Sequence, residues 1–533
     1  MSSYTYPGVY IQELPSAVHT ITGVATSIAA FVGWAPMGPV DEPVLVQSWS
    51  EYQAQFGGLY ANVYLGYAVN QFFGNGGSQA YIVRIVDTTS STPSKTASSS
   101  FTIGGLTLYA NSPGLWGNSI QVTLTISPAD ATRFSILVQQ VTTTGSTTTT
   151  TTLESFANLS LNSADPQGNY AIAVIDNDSN YITFLSPGTT TTPPTPTTTT
   201  PAHIAATKLA NGADGNVLYP TTTGTGAFED ALNVWGAPGI PAQSGIPLLD
   251  GIFFNLLVVP GMTDIPTIQK LQTFCQGADT RAFYIVDAPQ NISVSSLSSS
   301  GPVGTGTSTT PITAEPQSSN SAYYFPWVSA PDPLAGNRPA LFPPSGFIAG
   351  IYAETDASRG VWKAPAGIDA GLSGISGLQY TLSDSQNGSL NPLAVNCLRT
   401  FPVYGTVVWG ARTLDGSDAV GSQWQYVPIR RFALFLESSL YQGTQWAVFE
   451  PNDDTLWGQL RLNIGAFMQG LFQQGAFQGT TPQQAYFVKC DSENNPQSSI
   501  DQGIVNVLVG FAPLYPAEFV VIQIQQMAGM PSS

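Results

Sequence analysis

Charge is what this sequence has least of: Asp, Glu, Lys and Arg together make up 9% of its 533 residues, against roughly a quarter in an average soluble chain. An isolated soluble protein keeps itself apart with surface charge, so a surface of Ser, Thr, Gln, Asn and Gly suits a chain packed against neighbours. Basic residues are scarcest, with 15 Lys and Arg against 33 acids and a formal charge of −18. That balance argues against nucleic acid, which needs clustered cations to neutralise phosphates, and against an anionic membrane surface. Histidine is nearly absent: His19 sits in the N-terminal arm and His203 in a Pro/Thr loop, which leaves a Ser-His-Asp arrangement without a plausible imidazole. The three cysteines, Cys275, Cys397 and Cys490, are odd in number and far apart, so they read as buried free thiols and not as a disulfide framework. No run of eighteen apolar residues is present, and Met1 to Tyr10 has no basic region followed by an apolar stretch. The expected compartment of synthesis is a cytosol.

What is present is a large apolar fraction, 42%, in a chain long enough for three or four domains. Residues 1–20 read as an extended arm, with Pro7 and Pro15 bracketing the β-prone Val9-Tyr10-Ile11. Residues 21–90 are compact, with strands expected at Ser27–Gly33 and Ala80–Val86 and a helix near Leu65–Phe73. A Ser/Thr-rich linker at 88–100 leads into a β-rich segment, 101–205, with alternating patterns at Ser119–Ile126 and Phe134–Val138. Its Thr-rich runs at 142–152 and 189–200 are expected to be exposed loops or disordered, since nothing in them can bury. From 206 to 345 the pattern turns α/β. Apolar Phe253–Val259, a helix at 265–277 and Ala282–Val286 point to parallel strands buried on both faces.

Residues 346–517 are the most regular. One helix opens at Pro428, and Asp453 caps another that runs to about Gln474. In the latter, Leu456, Trp457, Leu460, Ile464, Phe467, Met468 and Leu471 form a broad apolar face. Gln459, Leu462, Ala466, Gln469 and Gln473 lie on its opposite side. That side carries almost no charge, so it too is a candidate for being covered. Residues 518–533 end the chain with Glu518–Gln526, where Ile522 and Ile524 alternate with Gln523 and Gln525 in a strand pattern. The fold class is an α+β multidomain chain.

Templates for chemistry fail in turn. No Walker loop, dinucleotide fingerprint or paired CxxC occurs. Asp176, Asp178 and Asn180 have the opening spacing of a calcium loop, but Tyr181 replaces its Gly and Pro187 its closing Glu. Asp453 and Asp454 could pair as glycosidase acids, yet their place at a helix start favours capping. No cofactor, metal or catalytic residue is expected.

Several motifs resemble contractile tail sheath proteins, in that family's order. They are Tyr6–Glu13, Gly23–Gly33, Phe56-Gly57, Phe72–Gly77, Ser112–Asn118 and Gly360–Gly367. The longest stretch, Asn396–Gln525, includes Arg399–Pro402, Val408–Thr413, Tyr426–Arg431 and Gln445–Asn452. The resemblance implies stacked hexameric rings around an inner tube, with baseplate and terminal cap proteins as further partners. It implies a conserved inner α/β domain built from N- and C-terminal parts of the chain, here 21–90 and 346–517, with inserted α/β and β-rich outer domains. It also implies terminal arms that add strands to neighbouring subunits, through Val9, Tyr10, Ile11 and Gln12 at one end and Phe519, Val520, Val521, Ile522, Gln523 and Ile524 at the other. Gln459, Leu462, Ala466, Gln469 and Gln473 are the candidate tube-facing residues. Contraction from a metastable packing, without nucleotide, is inherited from the same resemblance, as are assembly in a bacterial cytoplasm and a place in a phage or phage-tail-like particle. The competing reading from composition alone is a secreted β-rich adhesin or glycan-binding protein.

Overall fold

The computed structural model describes residues 19–87, 94–185, 194–220, 226–232, 244–302 and 319–523. Val9, Tyr10, Ile11, Gln12 and Ile524 lie outside the described residues. Residues 26–430 pack as one compact unit, and the described residues before 26 and after 430 pack as a second.

The first unit begins with β1 (Ala29–Trp34), β2 (Val44–Val46), α1 (Trp49–Phe56), α2 (Tyr64–Gly74) and β3 (Ala80–Ile85). A β-rich stretch follows: β4 (Ser98–Ile103), β5 (Leu106–Ala110), β6 (Ile120–Ile126), β7 (Arg133–Thr144), β8 (Thr147–Ser160), α3 (Ala171–Asp178), β9 (Ile182–Thr183) and β10 (Ile204–Lys208). Next come α4 (Ala227–Leu232), β11 (Leu256–Val258), α5 (Ile265–Gln276), β12 (Phe283–Asp287), α6 (Val294–Ser300), β13 (Ser321–Phe325), β14 (Val328–Asp332) and β15 (Arg338–Phe342). The unit continues through α7 (Ser345–Arg359), β16 (Gly377–Leu378), α8 (Asp384–Leu390), β17 (Val395–Phe401) and β18 (Gly405–Val408).

Its centre is an eight-stranded sheet in the order β18-β17-β13-β12-β11-β1-β3-β2. The six inner strands are parallel, and β2 and β18 close the edges antiparallel. The near-continuous apolar runs follow from this, because every residue of β1, β11 and β12 is buried by cover on both faces. The parallel α/β reading of 253–286 is borne out. Strands drawn from 29–85, 256–325 and 395–408 meet in this one sheet.

Asp287, at the end of β12, fastens two neighbouring loops. Its carboxylate accepts from the Gly261 amide at 2.8 Å, the Ser345 amide at 2.8 Å and the Ser345 hydroxyl at 2.7 Å. Burial raises its pKa to about 6, against the pull of those three donors. Cys275, Cys397 and Cys490 are all buried and free, as expected, and burial pushes the Cys397 thiol up to about 12.

The β-rich stretch holds a four-stranded sheet, β10-β6-β7-β8, and a three-stranded one, β4-β5-β9. Both contribute to one apolar cluster that includes Leu108, Val122, Phe134, Ile136, Leu159 and Ile172. One expectation needs correction here. The Thr run at 142–152 is not a loop but the outer half of the β7–β8 hairpin, paired Thr142 with Thr149, Thr143 with Thr148 and Thr144 with Thr147. Gly145, at φ 63°, makes the turn. Threonine is stiff at χ1 and suits a pleated ribbon, and opposed threonines support one another across the strands. A two-stranded ribbon needs nothing to bury. In the second run, residues 194–200 have no regular structure and 189–193 lie outside the described residues.

Asp176 and Asn180 serve local structure. Asp176 accepts from the Thr183 hydroxyl at 2.9 Å and the Phe184 amide at 2.7 Å, and Asn180 donates its amide to Glu154 at 2.9 Å.

Candidate assembly surfaces

The second unit is built on the part of α9 (Val427–Gly443) from Arg431 onward, on α10 (Asp454–Gln473), and on the antiparallel pair β19 (Tyr486–Lys489) and β20 (Leu508–Phe511). Asp453 caps α10 as expected, its carboxylate accepting from the Thr455 amide at 2.9 Å and the Leu456 amide at 3.0 Å. The apolar face of α10 buries Leu456, Trp457, Leu460, Ile464, Met468 and Leu471. An aromatic core surrounds Phe432, whose ring lies 5.4 Å from Phe477 and 5.5 Å from Phe511, while Phe435 lies 6.1 Å from Phe467.

The root of the N-terminal arm is held along α9. His19 stacks on Trp446 at 4.1 Å, and the Val24 amide donates to the Ser439 hydroxyl at 3.2 Å. Two glycines permit this approach: a Cβ on Gly23 would lie 2.9 Å from the Phe435 ring, and one on Gly443 would lie 2.6 Å from Ile21. His19 is thereby a packing residue, and His203 lies exposed in the other unit.

The five residues proposed for the outer flank of α10 do share one stripe. Leu462 is 60% exposed, Ala466 and Gln473 are also exposed, and Gln459 and Gln469 are half-buried. Gln469 accepts from the Tyr486 hydroxyl at 3.0 Å, so it also braces β19. Arg461 donates to the carbonyl of Cys490.

No third strand pairs with β19 or β20 among the described residues. Alternation puts Tyr486 and Val488 on one face and Phe487 and Lys489 on the other, where Phe487 and Leu508 are exposed. These two apolar residues were not singled out from the sequence, because neither Tyr486–Lys489 nor Leu508–Phe511 alternates apolar with polar residues. Of the segment 518–526, where a strand pattern is read, the described part, Glu518 to Gln523, pairs with no strand of the same chain among the described residues. Phe519, Val520, Val521 and Ile522 stand 75–80% exposed. A ladder needs a partner edge, and Pro513 and Pro516 keep this segment from folding straight back on β20.

Open parallel sheets commonly take ligands where their strand order reverses. Here that place lies beyond β1 and β11, and its described lining includes Val32, Trp34, Leu65, Leu218 and Pro260, with Tyr64 and Tyr219 as its titratable groups. It offers no carboxylate pair or imidazole for acid–base work. No helix among the described residues is long and apolar enough to cross a membrane.

Residues 419–527 match the phage tail sheath C-terminal domain. A tail sheath protein of Burkholderia phage BcepMu is 23% identical over 507 residues, covering 93% of this chain and 91% of that one. Shorter matches join this chain to a tail sheath protein of Vibrio phage KVP40, 25% identical over 35% of this chain, and to a putative prophage major tail sheath protein of Pseudomonas aeruginosa strain UCBPP-PA14, 30% identical over 34% of it. The chain spans about a quarter of the length of the first of these two relatives (26%) and about half of the second (46%). The fold is shared with the sheath of an extracellular contractile injection system in its contracted state, at a TM-score of 0.54, 22% identity and 99% coverage of both chains. The adhesin reading finds no support in these likenesses. The C-terminal domain match, the relative aligned along nearly the whole chain and the shared fold together make this chain similar to contractile tail sheath proteins.

Proposed function

We propose that the chain is a sheath subunit that polymerises as stacked hexameric rings around an inner tube. In this reading the rings contract from a metastable extended state and drive the tube through a target envelope. The observation that carries it is the pairing of an open-edged β19–β20 sheet with an exposed apolar Phe519–Ile522 segment, both inside the region matching the sheath C-terminal domain. Exposed strand edges and unpaired apolar β segments are what strand addition between copies requires. The arms, Val9–Gln12 and Phe519–Ile524, would complete that sheet in neighbouring subunits. A contact that is heterologous and repeats with a rise and a rotation builds a helix of rings.

Residues 21–90, 206–345 and 346–430, whose strands share one sheet, would act as one body with the β-rich stretch at 101–205 facing outward, and 431–517 would supply the rest of the conserved inner part. The outer flank of α10, at Gln459, Leu462, Ala466, Gln469 and Gln473, would face the tube. Baseplate and cap proteins would terminate the stack, in a particle assembled in a bacterial cytoplasm. The role is structural: energy comes from the difference between two packings, with no catalytic step.

Negative-stain electron microscopy of the purified chain tests this. Striated tubes are expected from the full chain, and folded, dispersed particles from variants lacking residues 1–14 or 519–533. Normal long sheaths from either deletion would sink the arm mechanism.

A further inference from the structure

Phe449 stands at φ 70° with its ring fully exposed, at 102%. A left-handed backbone is costly for a bulky side chain, and four of the other described non-glycine residues at positive φ are asparagines, which tolerate it. Nothing among the described residues rewards the strain, since the ring is wholly in solvent. The loop around it is nonetheless fixed. The Val448 amide donates to the Gln445 carbonyl at 3.2 Å, the Glu450 amide to the Ala447 carbonyl at 3.3 Å, and the Asn452 side chain to the Ile504 carbonyl at 3.1 Å. Trp457 donates to Asn452 at 2.9 Å, which ties the loop to α10. A rigid loop thus presents a strained aromatic outward, beside exposed Val448. Three exposed carboxylates, Glu450, Asp453 and Asp454, neighbour it in the same short stretch. Strain that persists without an internal partner points to a role at an interface, and buried aromatics are the usual anchors there.

The acidic surround asks for cations on the other side. Elsewhere on the chain, Ile368 is 51% exposed in the loop that follows α7, which ends at Arg359 and is continued by Lys363. Arg359 reaches Asp369 at 3.3 Å, and Lys363 donates to the carbonyls of Ala364 at 2.7 Å and Ala366 at 3.3 Å, which holds the loop in shape. We propose that Phe449 is the aromatic anchor of a contact between two copies of this chain, seated beside Ile368 of the neighbouring copy, with Arg359 and Lys363 there facing Glu450, Asp453 and Asp454. The inference rests on the assembly reading above and names a second contact, separate from the arms. It is heterologous, so it suits a polar ring or helix and not a closed two-fold dimer.

The test keeps Phe449 in place. Full-length Val448→Cys and Asp369→Cys chains are purified separately, mixed under assembly conditions and treated with a short bismaleimide. The three native thiols are buried and stay silent. A covalent dimer is expected from the mixture and from neither variant alone. A second variant, Phe449→Gly, relieves the backbone strain, so its melting temperature should not fall, while ordered polymers should be lost. Wild-type tubes without the mixed cross-link, or Phe449→Gly tubes of normal length, would overturn the contact while leaving the assembly reading intact. Phe449→Gly tubes that assemble but fail only to hold an inner tube would overturn it too, by naming a different occupant. A cross-link without tubes would support the contact and count against the ring reading.

Discussion

Arg84 donates from Nη2 to the carbonyl of Pro113 at 2.8 Å, so the end of β3 holds the root of the β-rich module directly. The same guanidinium donates to the carbonyls of Ala35 at 2.7 Å and Gly38 at 2.6 Å. Burial lowers its pKa to about 9, opposed by the nearby Asp214 carboxylate and Tyr52. Asp214 in turn accepts the Leu115 amide at 2.6 Å, and Lys95 and Ala213 exchange backbone bonds at 2.8 and 2.9 Å. The module thus enters and leaves through one hydrogen-bonded knot. Lysine cannot reproduce the guanidinium's fork, so Arg84→Lys should strand two buried carbonyls and cost about 3 kcal/mol or more. A urea titration should show it as a lower midpoint. An unchanged midpoint would show that water replaces the fork without loss.

Asp287 makes stability depend on pH in an unusual direction. Its folded pKa, about 6, exceeds an unfolded aspartate's of about 3.9. The folded state therefore binds the proton more readily across that window. The contribution is fully present below about pH 4 and is lost as pH rises through 6, amounting to about 3 kcal/mol at most. Wild type should lose more stability between pH 4.5 and 7 than Asp287→Asn does, in matched denaturant titrations. Parallel pH profiles would mean that the carboxylate is already ionised throughout.

The Thr ribbon should tolerate change where the module beneath it does not. Thr143→Ala and Thr148→Ala remove a pair 3.4 Å apart on an exposed ribbon and should each shift stability by under about 0.5 kcal/mol. Ile136→Ala, in the buried cluster, should cost about 2–5 kcal/mol. Thermal melts separate the two classes. A large loss from either threonine would mean that the ribbon is a stability element.

Much of the secondary structure was readable because pattern and burial agree. The 3/4 spacing of Leu456 to Leu471 needed only its cap, Asp453, to become a helix, and the runs in β1, β11 and β12 needed only cover on both faces. What failed was information that no short window contains. Thr142–Thr152 carries no burial signal, so a composition rule reads it as loop, although β-branching makes it strand when its two halves can oppose. The meeting of 29–85 with 395–408 in one sheet is set by long-range pairing, not by any local run. Phe519–Ile522 has a strand's sequence but no strand's partner among the described residues. Phe449 lay inside a quoted motif, yet its importance comes from a backbone angle, which residue identity does not reveal.

Asn463 is a place where the sequence looks worse than it must. It is buried in α10, and neither its amide oxygen nor its nitrogen has a hydrogen-bond partner among the described residues. An unpaired buried polar group costs about 1–3 kcal/mol. Asn463→Leu, which keeps the branching at Cγ and removes both polar atoms, should therefore raise the melting temperature of the full chain. If the variant is instead destabilised, the site holds a water or a partner that the asparagine satisfies.

The outer flank of α10 can be tested without touching its core. Ala466 and Gln473 are exposed, so Ala466→Lys and Gln473→Lys should leave the melting temperature unchanged, as surface substitutions usually do. Gln469 is the poorer probe because it accepts from Tyr486 and its loss would disturb β19. If this flank faces a tube, a new cation must be desolvated there in every subunit, and a penalty paid once per copy is multiplied along the polymer. Extended sheaths formed around a tube should then become rarer and shorter, while tube-free polymers keep their wild-type length. Equal effects on both would place the flank between sheath subunits, and no effect on either would leave it in solvent. The first outcome requires a difference between two assemblies of one folded chain, which a general loss of stability cannot imitate.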